Sequence, residues 1–191
     1  MTGAVAHVAG EAVPESLVEA RLAALHASPR AGLLPRGGKE ARQLRRWVGQ
    51  LAVTAALCEA AARREGLEPT PEPIDLDDVA ALELGSLAAA ALTESPYARA
   101  AYRDLRRRSE PREPETRAYY DRNPDLFRGP EPGSVRPYQQ VRGEIAARLR
   151  GAAARKRFLG WLDGWRAELV ALCPGWEHPG DPRQPDNTHR H

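Results

Sequence analysis

The stretch WEHPGDPRQPDNTHRH gathers His178, Asp181, Asp186, His189 and His191, residue types that ligate divalent metals. In an extended backbone His189 and His191 point to the same side, and a reverse turn through Gly180 would bring His178 or Asp181 towards them. His178, Asp181, His189 and His191 are therefore the candidate metal set, with zinc or another divalent ion as the implied cofactor and a metal-bound water as the implied chemistry. The spacing matches no established zinc motif. The competing reading is an exposed polar segment, because proline resists regular packing.

A second set is aromatic. Trp161 and Trp165 are four residues apart and share a helical face, while Tyr119 and Tyr120 precede them and Trp47 lies on an earlier helix. Such residues usually anchor a core, but together they are also the candidate lining of an apolar cleft for a peptide or polyketide-like ligand. Arg42, Arg45 and Arg46, with Arg106, Arg107 and Arg108, offer cations for phosphate. Nearby Glu40 and Asp104 would weaken that field, and a formal net charge of +2 does not describe a nucleic-acid binder. Ser86, in ELGSLA, has neither the second glycine of a Gly-x-Ser-x-Gly elbow nor the aspartate of a phosphopantetheine site. No catalytic residue is assigned.

The elements that must position these groups are helical. Alanine, leucine, arginine and glutamate dominate the 191 residues, and isoleucine occurs only at Ile74 and Ile145. Pro14, Glu15 and Ser16 start a helix that runs to about Ala27, followed by a Pro/Gly loop over residues 29–38. Residues 39–65 form an amphipathic helix with Leu44, Trp47, Val48, Leu51, Ala55, Cys58 and Ala62 on one stripe, closed by Gly66. After a proline-rich connector, Asp75, Asp77 and Asp78 begin a helix to about Leu92, and Ser95 with Pro96 begins another, ending in the arginine run. Proline and charge then make residues 110–136 an irregular crossover with one short helical piece. Pro137 starts the longest helix, to about Leu172, and residues 173–191 form a Pro/His-rich tail. Cys58 and Cys173 read as two buried thiols. Residues 1–10 lack a basic start with a continuous apolar run, and no segment is apolar enough to span a bilayer, so a cytoplasmic protein is expected.

Two blocks carry a resemblance. AHVAGEAVPESLVEARLAAL with RQLRRWVGQLAVTAALCEAAARREGL resembles the amino-terminal helical module of SurA-like, parvulin-associated chaperones, in which a short strand and a Gly-Glu turn precede a helix. Glu59, Ala60, Arg64, Gly66 and Leu67 match the phrase that ends the module's second helix. ETRAYYDRNPDLFRGPEP with VRPYQQVRGEIAARLRGAAARKRFLGWLDGWRAEL is similar to the two segments that flank the parvulin domain, through Tyr119, Tyr120, Asn123, Pro124 and Phe127 and then Pro137, Tyr138, Val141, Ile145, Leu149, Phe158 and Leu162. Too few residues separate Phe127 from Val135 for that domain, so prolyl isomerase activity is not implied. The architecture with its His-Pro-Gly-Asp-Pro tail also resembles small bacterial proteins that carry a malonyl-carrier-protein transferase label.

The expectation is thus an all-α protein: a SurA-like helical bundle over residues 1–172, one long carboxy-terminal helix, and the tail. It would act as a chaperone or scaffold holding a polypeptide in an apolar cleft. The alternative is a small enzyme or accessory protein acting on acyl groups of a carrier protein in secondary metabolism. Neither nucleic acid nor membrane is an expected partner, and the sequence leaves the oligomeric state open.

Overall fold

A computed structural model describes residues 3–29, 31–131 and 133–181. Its first departure from expectation is a sheet. β1 (Ala4–Val8) and β2 (Glu11–Pro14) form a hairpin, and β3 (Val170–Leu172) pairs with the other side of β1, giving the antiparallel order β2-β1-β3. The all-α expectation is corrected accordingly: the chain is largely helical, with a small sheet attached. Ala9 and Gly10 both take positive φ, 52° and 88°, between the paired Val8 and Glu11. Two such residues give the tight turn whose twist matches that of its strands.

β2 runs directly into α1 (Glu15–Ala27), which buries little beyond Val18. α2 (Gly38–Arg64) is the buried centre of the body, with Val48, Val53, Leu57, Cys58, Ala61 and Ala62 all shut from solvent. Gly66, at φ 70°, ends it, and the amides of Gly66 and Leu67 donate back to the carbonyls of Arg63 and Ala62. Gly49 permits a close approach, since a Cβ there would meet the Trp176 ring at 2.6 Å.

α3 (Asp78–Glu94) is capped by the Asp77 carboxylate, which accepts from the Ala80 amide at 2.7 Å. It is not continuous: Gly85, at φ 75° and ψ 164°, breaks it. Ser86 therefore follows a break and does not sit inside a regular helix as the sequence suggested. Ser95 closes α3 and caps α4 (Pro96–Arg107), accepting from the Ala98 amide. Buried Arg99 ties this corner together by donating to the carbonyls of Thr70, Leu92 and Thr93.

The crossover is more regular than expected. α5 (Glu113–Arg122) occupies its first half, and Pro124–Phe127 forms a 3-10 turn. A tight hairpin follows, in which Arg128 bridges to Val135 and the Arg136 amide donates to the Phe127 carbonyl at 2.7 Å. α6 (Tyr138–Leu169) then runs 32 residues, about 48 Å. It ends at Leu169, not Leu172, because the next three residues join β1 as β3.

Two apolar clusters share α6 as a common spine. The main one gathers the sheet, α2, α3, α4 and Ala154, Phe158, Leu162 and Leu169 of α6. The other, an arm, holds Phe127, Tyr138, Val141 and Ile145, with Tyr119, Tyr120 and Leu149 against it.

Candidate functional site

A groove of about 860 Å³ runs between the hairpin with α1 on one side and α2 with the start of α4 on the other. Its floor is short-chained: Ala20 and Ala24 of α1 face Ala52, Ala55, Ala56 and Ala60 of α2. A methyl group in place of a longer side chain leaves the two helix backbones apart without filling the gap between them. β2, whose residues line the groove, is an edge strand of the sheet. The rim carries both signs of charge. Arg21 pairs with Glu94, Arg63 with Glu59 at 2.7 Å and Arg64 with Glu168 at 2.8 Å. Arg63 also donates to the Tyr97 hydroxyl, and that bond, followed by the charge of Glu59, raises its pKa above the ordinary arginine value.

The opposite face of α2 borders a second, partly open cavity, of about 310 Å³, lined also by α3 and α6. Gln50, Thr54 and Leu57 face this cavity, half a helical turn away from Ala52, Ala55 and Ala56 on the groove side. The Arg166 guanidinium reaches in from α6, donating to Gln50 Oε1 at 2.9 Å and Thr54 Oγ1 at 3.1 Å. Gln50 in turn donates to the Trp176 carbonyl, which pins the tail segment to the body. Burial lowers the Arg166 pKa, with Asp163 and Cys58 opposing the shift. Cys58 itself is pushed up to about 12, first by burial, so it stays a thiol; Cys173 is half-buried, and both cysteines are free.

The expected aromatic set is not brought into one cleft. Tyr119 and Tyr120 surround Phe127 in the arm, with ring centroids at 6.3 and 5.4 Å, and the Tyr120 hydroxyl donates to the Arg136 carbonyl. Trp161 and Trp165 lie on the body half of α6, where both indoles donate to Glu65 Oε1 at 2.9 and 3.1 Å, tying the end of α2 to α6. Trp47 packs on the main core and donates to Ser86 Oγ at 3.3 Å. None of the five lines either cavity.

Of the metal set, His189 and His191 lie outside the described residues, as does Asp186. His178 lines the smaller cavity, and its Nδ1 accepts from the Gly180 amide at 3.0 Å. Burial and then the charge of Arg166 hold His178 below its usual pKa, against Asp181. An amide thus already occupies the Nδ1 of His178. Among the described residues no group of three His, Cys, Asp or Glu side chains is placed to hold one.

The arginine clusters are engaged within the chain. Arg45 pairs with Glu15 and Glu19 and lies 4.2 Å over the Trp176 ring, while Arg107 and Arg108 both clasp Asp104. Among the described residues no helix is long and apolar enough to cross a membrane.

The model of a family of unknown function, DUF7158, matches residues 4–38. That segment is the hairpin, α1 and the following loop, so it supplies one whole wall of the groove. The chain has no match among curated proteins or solved structures.

What the sequence missed was the pairing of Gln50 and Thr54 with Arg166. The available signal was polarity in the wrong place: Gln50 and Thr54 sit among apolar residues at helical spacing, and buried polar groups require a partner.

Proposed function

We propose that this protein holds an extended polypeptide with apolar side chains in the alanine-floored groove, as a SurA-like helical chaperone or scaffold without an isomerase domain. The observation that carries this reading is the groove itself, bounded by an edge strand on one side and a trough of methyl groups on the other. An edge strand offers backbone hydrogen bonds to any extended chain, and an apolar floor accepts alternate side chains without demanding a sequence. The charged rim, with Arg21 and Arg63 near Glu59 and Glu94, suits polar residues of either sign on the segment's outer face.

The test is protection of an unfolding client protein from aggregation. Ala56→Trp and Ala24→Leu fill the trough from opposite walls and are expected to abolish protection while the melting transition is kept. Replacing His189 and His191 by alanine is expected to leave protection intact. Full protection by both groove-filling variants would overturn the proposal.

A further inference from the structure

We propose that the cavity between α2, α3 and α6 is a binding site for a small monocarboxylic acid with an aliphatic body, its carboxylate held by Arg166. This site lies on the other face of α2 from the groove and does not depend on the chaperone reading.

Three observations meet there. The first is an arginine whose hydrogen-bond partners among the described residues, Gln50 and Thr54, are both neutral. Arg166 is half-buried, and two neutral acceptors satisfy only part of its five N–H donors. Yet Gln50 is 1% exposed and Thr54 2%, so these acceptors are fixed in place before any ligand arrives. Thr54 is held further by donating to the Gln50 carbonyl at 2.7 Å. A planar fork positioned in this way matches a carboxylate, which accepts two parallel bonds from it.

The second is the wall opposite. Leu57, Leu84, Leu87, Leu159 and Leu162 give the cavity an aliphatic lining, so the occupant is amphipathic: one anionic end and a hydrocarbon remainder. A volume of about 310 Å³ is at the small end of ligand sites, which points to an acid of few carbons rather than a long-chain lipid. The third is the charge around Arg166. Asp163, one helical turn before it, is the single carboxylate in the lining. It would repel a second carboxylate on the ligand, which favours a monocarboxylate over a dicarboxylate. His178 borders the same space and brings no second carboxylate to it.

Hexanoate is the probe, compared by calorimetric titration with hexan-1-ol and adipate. Hexanoate is expected to bind about tenfold or more tightly than either, the margin of a charged hydrogen bond. Arg166→Gln is expected to lose about tenfold in hexanoate affinity, and Asp163→Asn to gain severalfold by removing the opposing charge. Leu87→Trp, which fills the cavity without touching the arginine, is expected to lose binding as well, and decides the matter if Arg166→Gln does not fold. Equal binding of hexanoate and hexan-1-ol, or hexanoate affinity unchanged in Arg166→Gln or in Leu87→Trp, would overturn the proposal. Client protection measured on the same Leu87→Trp protein is expected to persist, which separates this site from the groove.

Discussion

The body and the arm are built on one helix but held by different forces. In the body, α6 buries Ala154, Phe158 and Leu162 against α2, α3 and α4, with the Phe158 ring edge-on to Tyr102 at 5.7 Å and stacked on Trp161 at 5.8 Å. In the arm, four buried residues form the centre with Tyr119, Tyr120 and Leu149 against them, and polar bonds supply much of the remaining adhesion. Tyr138 shares a bond of 2.7 Å with Thr116 and donates to Glu113, Arg136 grips Glu144 through Nη1 and Nη2, and Arg150 grips Glu110 through Nε and Nη2. A cluster that small cannot bury enough apolar surface to secure itself, so exposed ion pairs carry a larger share of its cohesion. The lesson is that a continuous helix does not imply uniform stability along its length.

The largest test of this contrast is a pair of truncations. Phe158→Ala should cost about 3–5 kcal/mol, seen as a lower midpoint of global denaturation. Phe127→Ala should leave that midpoint much closer to the original, and raise amide exchange over residues 113–145. Equal losses from the two would show a single cooperative unit and break the distinction.

Acid should sharpen it next. Glu110, Glu115 and Glu144 all have pKa values held below the ordinary 4.5, by hydrogen bonds from Arg150, Arg112 and Arg136 respectively. A carboxylate depressed in the folded state contributes stability above its unfolded pKa and loses it as pH falls through the folded one. Amide exchange across the arm should therefore accelerate as pH drops below about 4, after correction for the intrinsic rate, with the body following later. Simultaneous loosening of both regions would count against the polar account of the arm. The smallest effect belongs to Arg150→Gln, which removes one exposed pair. It should cost below about 1 kcal/mol by denaturant titration and shrink further in high salt.

Much of this architecture was legible because helical signals are local. The stop at Gly66, the start at Pro14 to Ser16 and the Ser95-Pro96 junction need no distant information, and each falls where the residues place it. β3 was not legible, since Val170, Ala171 and Leu172 continue the apolar rhythm of α6 and only the unpaired side of β1 turns them into a strand. The Gly85 break escaped because a helix tolerates an isolated glycine at modest cost. Trp176, 4% exposed, was hidden in a proline-rich stretch whose docking depends on the missing Cβ of Gly49. The aromatic cleft failed for a related reason: spacing tells which residues share a helical face, not what that face meets. Both cavities join residues from several elements, a relation that periodicity within one segment does not contain.

The place of β1 between β2 and β3 has a consequence for how the chain comes to be folded. Protein synthesis delivers the hairpin early and Val170–Leu172 late, yet the Val5 carbonyl needs the Cys173 amide and the Ala9 amide needs the Leu169 carbonyl. On the ribosome the hairpin therefore waits with one flank of β1 bare while α1 to α6 are being made. β3 can complete the sheet only after α6 has been made, and until then that flank is open to any passing strand.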